Sequence, residues 1–321
     1  MTRCIGGYPA LELKPQSEYH RQGIGLNSAR CCLEVCLKAR GVRKVWLPDF
    51  TCSAMLEPLR RLGIEYDRYG IGYDLEPVEV PDLADDEAFV YTNYFDLKRR
   101  TVIDLVCAMG RGLIVDNAQA FYARPMQSVD TIYSPRKFFG VSDGGYLYCD
   151  AHVEMPEATD ESASRMLPQL KRLDTGAESG YADFRHSEET LDDMPPMRMS
   201  TLTRSILASV DYDWAAGRRR RNFRQLAEAL DGINGLGHVT SRADDECVPM
   251  VYPLLVAEPQ LRGRLIAEKI FTATYWPNVL EETSPDDPAH HLASCLIPLP
   301  VDQSLGRDDM LRIVETIKKN I

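Results

Sequence analysis

The sequence has no long hydrophobic run. None of its apolar stretches approaches the roughly 20 residues needed to span a bilayer, so no membrane partner is expected. The opening residues, MTRCIGGYPALELKPQ, lack the apolar core of a secretory signal. There is no disulfide framework either. The nine cysteines are odd in number and irregularly spaced, and Cys31, Cys32, Cys36 and Cys149 sit in apolar runs. Such thiols behave as small hydrophobes in a reducing compartment, and a cytoplasmic protein is expected. Positive charge is in deficit. The 37 Lys and Arg face 48 Asp and Glu, a net charge of −11, which argues against nucleic acid covering the surface. Repeats and low-complexity tracts are missing. GVSDGGY lacks the glycine order of a dinucleotide fingerprint and precedes a strand rather than a helix. His290-His291 beside Asp286 and Asp287 has no metal-ligand spacing and Pro-bearing flanks, so it reads as a loop. The four arginines Arg218–Arg221 lie in a helical pattern and spread around its axis, which reads as a solvated or interface helix.

What is present is alternation. Residues 28–40 read as a helix with Asn27 or Ser28 as N-cap and Gly41 as its stop. Strands are expected at 44–48, 64–71, 88–95, 112–116, 128–134 and 144–150, with helices at 53–63 and 101–110 between them. Short apolar strands alternating with amphipathic helices predict an α/β fold with a mostly parallel sheet. Residues 151–197 are polar and acidic, an insertion, a mobile segment or a crossover. A long helical pattern runs from near Ser200 to Leu230. Strand, helix, strand, helix at 249–258, 261–271, 294–301 and 307–320 would make a smaller α+β domain. The expected division is 1–197 and 198–321.

Two residues at strand ends carry chemistry. Asp116 closes the apolar run LIVD, where ligands of open α/β sheets sit. It suits a metal ligand, a general base, a partner for a cationic ring, or simply a helix cap. Lys137 follows the next strand among Tyr133, Phe138, Phe139 and Val141. Most lysines are solvated, but this setting, together with Arg136, is expected to desolvate the ammonium and lower its pKa, which makes an amine nucleophilic toward a carbonyl. Pyridoxal phosphate (PLP) uses such a pair: a lysine for its Schiff base and an acid that keeps the pyridine nitrogen protonated. LNSAR (26–30) opens the first long helix, and a helix start of small residues is a phosphate cradle, to which Arg30 would add charge-assisted bonds.

With these residues in view, the chain resembles the DegT/DnrJ/EryC1/StrS sugar aminotransferases, fold-type I PLP enzymes. The likeness runs in order through LNSARCCLEVCLKARGVRKVWLPDFTC, LIVDNAQAF with its Asp-x-x-Gln, YSPRKFFGVSDGG with its lysine and Gly-Gly turn, MRMSTLTRSIL, RRRRNF and LIPLPVDQSLGRDDMLRIVETI. The resemblance implies that Lys137 forms the Schiff base, Asp116 pairs with the pyridine nitrogen and Gln119 lies by the ring's phenolic oxygen. It also implies that Ser28, Ala29, Arg30 and Ser134 surround the phosphate, and that the active protein is a homodimer with sites built from both subunits and Arg198 near the boundary. The chain is shorter than most members. It places Cys52 where members carry a stacking aromatic, a ring Tyr94 would supply instead, and Pro196 where members place an asparagine. The implied activity is transfer of an amino group from an amino acid, glutamate by resemblance, to a keto-sugar carried on a nucleotide, in glycan or natural-product assembly. Arg30, Arg136 and Arg198 are the candidates for anionic groups. Elimination is a second PLP reaction on this scaffold, although the family's dehydratases replace the lysine with histidine. A non-catalytic binding or regulatory protein is the reading outside enzymes.

Overall fold

A computed structural model describes residues 5–321, and in it the apolar runs become the strands of one central sheet. The strands are β1 (Ile24–Leu26), β2 (Lys44–Pro48), β3 (Glu65–Tyr69), β4 (Glu87–Thr92), β5 (Leu113–Asn117), β6 (Asp130–Tyr133) and β7 (Gly145–Tyr148), in the order β1-β7-β6-β5-β4-β2-β3. From β6 through β5, β4 and β2 to β3 every pairing is parallel, whereas β7 runs antiparallel to β6 and β1. All residues of β5 and β6 are buried. Strands covered on both faces read as continuous apolar runs rather than as alternation, which is why they stood out in the sequence. β1, only three residues long, did not.

Helix α1 (Ala29–Arg40) begins where Ser28 caps the Cys31 amide at 3.1 Å and ends at Gly41, whose φ of 66° is the left-handed stop that glycine adopts without penalty. Helices α2 (Leu56–Leu62) and α3 (Arg99–Met109) link the parallel strands. Residues 151–197 connect β7 to the helices that follow and carry two helices of their own, α4 (Leu167–Thr175) and α5 (Tyr181–Glu189). The long helical pattern breaks in two at residues 208–211, giving α6 (Thr201–Leu207) and α7 (Tyr212–Leu230), capped by Ser200 and Asp211. A short α8 (Gly237–Thr240) follows.

The C-terminal part adds a two-stranded antiparallel sheet of β8 (Val251–Leu255) and β9 (Leu296–Pro300). Around it lie α9 (Leu261–Ala267), α10 (Pro277–Glu282), α11 (Pro288–Cys295) and α12 (Arg307–Asn320). His290 and His291 therefore lie on α11, not in a loop: Pro288 occupies its first turn, a position where proline's missing N–H costs nothing. One apolar cluster runs from Phe89, Phe121 and Tyr133 of the large sheet to Phe223, Tyr252 and Leu299 of the C-terminal part. The eight described cysteines are all free thiols, and Cys4 lies outside the described residues. None of the described helices is long and apolar enough to cross a membrane.

Candidate active site

Parallel strands bring their carboxyl ends to one edge of the sheet, and the expected residues lie along it. Asp116 is the fourth residue of β5, facing Thr92 of β4 and Ile132 of β6 in register. It is buried. Its Oδ1 accepts the Ala118 amide at 2.8 Å and its Oδ2 the Thr92 hydroxyl at 3.4 Å. Burial pushes its carboxyl above the usual range, while the Lys137 ammonium and these two donors pull it back. No Lys, Arg or His among the described residues forms an ion pair with it. A buried carboxylate of this kind is completed by a cationic N–H donor.

Lys137 follows β6, at the end of the short turn Pro135–Lys137. It is exposed in the single chain, whereas Phe138 and Phe139 are buried. The expected desolvation of its ammonium is thus not provided by this chain alone. The aromatic neighbours in sequence turn into the core instead, where Phe139 meets Phe121 at 5.0 Å and Tyr212 at 5.4 Å between ring centroids. Ser134 is buried at the start of the same turn.

Gln119 is buried in the loop after β5. Its Oε1 accepts the Phe95 amide at 3.1 Å, and its Nε2 is buried with no partner among the described residues. An unsatisfied buried donor costs roughly 1–3 kcal/mol and is the atom a bound oxygen acceptor would complete. The loop that Gln119 braces is itself strained. Phe95 and Asp96 both have positive φ, 60° and 63°, a conformation non-glycine residues hold only when their surroundings impose it. The Asp96 carboxylate accepts the Val248 amide at 2.7 Å, and the Phe95 carbonyl accepts that of Met250 at 3.2 Å. The strain is therefore held in place by the C-terminal part.

The start of α1 completes the edge. Gly145 lies so close to it that a Cβ there would sit 2.5 Å from the Ser28 carbonyl. Ser28 spends its hydroxyl on the Cys31 amide. The Ala29 amide faces Gly144 in a parallel bridge between Ser28 and Gly144, the Arg30 amide finds no acceptor among the described residues, and the first turn holds no acidic residue. A helix start with a free Arg30 amide and no acidic residue fits a phosphate, as the buried Asp116 and the orphan Gln119 amide fit a pyridine ring with N–H and oxygen substituents.

Other expected contacts are not delivered. The Arg30 guanidinium is taken up by Glu57 and by Asp192 at 3.1 Å. Arg136 pairs with Glu188 of α5, and Arg198 donates to the Pro156 carbonyl at 2.7 Å. All three charges meet acceptors of the chain itself, and residues 151–197 supply one to each: Asp192, Glu188 and the Pro156 carbonyl. The Pro195 carbonyl accepts from Asn27 at 3.0 Å, and Arg61 donates to the Met194 carbonyl at 2.9 Å. Tyr94 is fully buried, with its hydroxyl given to the Phe50 carbonyl at 2.7 Å and its ring stacked on Phe50 at 5.6 Å. Cys52 is half-buried in the loop after β2 and offers no ring. The half-buried Trp276, edge-on to Phe50 at 4.8 Å, is an aromatic beside that loop which sequence reasoning did not single out.

Arg219 was also missed. Far from being solvated, it is 2% exposed. It donates to the carbonyls of Met250 at 3.1 Å and Phe138 at 3.2 Å and to Gln303 at 2.9 Å, with its guanidinium 4.6 Å above the Phe138 ring. The run of four arginines hid it, since only one of the four points inward. Surface clefts lie elsewhere, one of them at the opposite ends of the strands around Arg40, Pro81 and Met109.

A scan against protein-family models and a search of curated proteins found no match. Solved structures do match. The sugar aminotransferase CalS13 from Micromonospora echinospora is 17% identical, with a TM-score of 0.63 over 94% of this chain and 88% of that one. A DegT DnrJ EryC1 StrS aminotransferase from Brucella abortus is 17% identical, with a TM-score of 0.63 over 92% and 85%. Spr1654 from Streptococcus pneumoniae, described as a putative sugar aminotransferase and solved in its PMP-form, is 15% identical, with a TM-score of 0.61 over 92% and 86%. The mostly parallel seven-stranded sheet and the small antiparallel sheet behind it are thus the fold of the sugar aminotransferases, the fold-type I architecture.

Proposed function

We propose that the protein is a PLP-dependent aminotransferase acting on a keto-sugar. The observation that carries this reading is the pairing of Asp116 and Lys137 at adjacent strand ends. There the buried carboxyl lacks an ion-pair partner yet feels the Lys137 charge. The fold shared with structures named as sugar aminotransferases, one of them in a PMP-form, supports it.

PLP, when bound, supplies an electron sink for charge developing at the substrate carbon. Asp116 would hold the pyridine N–H, and its burial is what makes that charge pair strong. The orphan Nε2 of Gln119 would donate to the ring oxygen. The free Arg30 amide at the start of α1, with Ser28, Ala29 and Ser134 beside it, would take the phosphate. The Lys137 amine would attach the cofactor and then, released, hold and move the proton at the substrate α-carbon. The two substrates would share this one lysine-bearing site in turn, so the first product would leave before the second substrate binds.

The finer parts of the reading are glutamate as donor, a nucleotide on the sugar, a cytoplasmic setting in glycan or natural-product assembly, and residues 198–321 as a separate small domain. A homodimer belongs here too, because Lys137 is exposed and a second chain would shield it from water. The bound carboxylates of Arg30 and Arg136 and the missing ring at Cys52 favour the binding-protein reading as the alternative. The deciding experiment is a single-turnover half-reaction. The PLP-loaded protein should release one equivalent of 2-oxoglutarate from glutamate, and a nucleotide keto-sugar should then restore the starting absorbance. No response to any amino acid leaves the binding protein.

A further inference from the structure

At the far end of the sheet from Lys137, three side chains converge that play no part in the proposed reaction. Cys36 lies two turns into α1, Asp130 opens β6, and Cys149 follows the end of β7. β6 leads away from Asp130 toward Lys137, and β7 leads back toward Cys149. The group is therefore separated from the Lys137 edge by a strand length, on the order of 13 Å. One ligand atom from each, two sulfurs and a carboxylate oxygen, lies within 4.8 Å of both others.

We propose that Cys36, Asp130 and Cys149 form a site for a soft divalent cation of the zinc class, with two sulfur ligands and one oxygen. Three protein ligands and an open fourth position are a recognised zinc arrangement, and thiolates select zinc over hard cations such as magnesium. The half-buried Cys149 leaves the open position on the solvent side, whereas Cys36 closes the inner side.

The surroundings of the carboxylate fit a ligand held from behind. Asp130 Oδ1 accepts the Asp150 amide at 3.2 Å, and the Arg40 guanidinium lies 3.2 Å from Oδ2. Outer partners of this kind fix the orientation of a ligating carboxylate. They also balance charge. Two thiolates and a carboxylate contribute −3, Arg40 contributes +1, and a divalent cation brings the sum to zero. Without Arg40 the loaded site would carry an unpaired negative charge in a mostly buried position, which is costly. Arg40 is itself held by the Arg111 carbonyl at 2.6 Å, so it stays beside the carboxylate rather than competing for the sulfurs.

The probe is cobalt(II), which reports ligand type and geometry through its spectrum, titrated into the full chain under a non-thiol reductant. One equivalent should bind, with the visible bands of a tetrahedral ion and the ultraviolet charge-transfer bands of thiolate ligation, and zinc should displace it. Cys149→Ser and Asp130→Asn should each weaken binding by more than the roughly 10–100-fold that loss of an outer partner costs. Cys107→Ser, an exposed thiol outside the group, should change nothing. Because a variant in this packed region can lose its fold, the wild-type chain provides an independent check: stoichiometric zinc should slow alkylation of Cys149 and leave Cys107 unaffected. A chain that binds no cobalt at stoichiometric levels overturns the proposal. So does an octahedral spectrum without thiolate bands, an unchanged spectrum in folded Cys149→Ser, or alkylation of Cys149 indifferent to zinc.

Discussion

The Arg219 guanidinium on α7 and the Phe138 carbonyl, one residue past Lys137, are joined at 3.2 Å, and the Phe138 ring lies beneath the same guanidinium. Gln303 reaches the same carbonyl at 2.9 Å. The backbone that presents Lys137 is thus held from the C-terminal part of the chain, by a buried cation whose polar contacts are to carbonyl oxygens rather than carboxylates. Burial lowers the Arg219 pKa to about 10, which leaves it charged at neutral pH.

Replacing Arg219 with Leu should therefore act on both stability and presentation of the lysine. The Met250 carbonyl loses its side-chain donor, and buried unsatisfied groups cost roughly 1–3 kcal/mol each. Arg219→Lys should recover only part of this, because one ammonium cannot span three acceptors. Denaturant midpoints of the three proteins, with PLP uptake measured in parallel, check the order wild type, Lys, Leu. A Leu variant as stable as wild type contradicts the role.

Asp116→Asn should lower turnover by about 10²–10³-fold, the usual scale for removing one electrostatic stabiliser at a reacting site. It should leave PLP affinity within a few-fold. The amide still accepts from Ala118 but cannot hold a pyridine proton. Turnover under saturating PLP and equilibrium dialysis separate the two effects. Equal losses in both would make Asp116 a binding group only.

His20 predicts a pH dependence of stability. It is 1% exposed among Phe121, Tyr133, Tyr146 and Tyr148, with Nε2 2.6 Å from the Phe121 carbonyl. Burial lowers its pKa from 6.5 to about 4, against a smaller opposing pull from that carbonyl. The unfolded chain takes up a proton before the folded one does. This contribution is complete above pH 6.5 and is lost as pH falls from there to about 4, on the order of 3 kcal/mol over the window. Unfolding free energies of wild type and His20→Gln at pH 7.5 and 4.5 should differ in slope by that amount. Parallel slopes would show that His20 titrates normally.

Much of the large sheet was legible because its strands are buried on both faces and Ser28 and Gly41 punctuate α1 plainly. The pair Asp116 and Lys137 was legible because strand ends are. Three things were not. β1 is too short to show a period. The break between α6 and α7 has no proline or glycine, and shows only through the caps Ser200 and Asp211. The partners of Arg30, Glu57 and Asp192, lie 27 and 162 positions away, and no local pattern encodes such contacts. The single buried arginine of the run at 218–221 was hidden by its neighbours, since helical phase, not composition, decides which of four faces inward.

The central claim is that Lys137 is the residue that attaches the cofactor. The most direct measurement is borohydride reduction of the chain incubated with PLP, followed by peptide mass mapping. The account predicts one phosphopyridoxyl group per chain, on Lys137, and none in Lys137→Ala although that variant remains folded. A label on another lysine, or no label at saturating PLP, would contradict it.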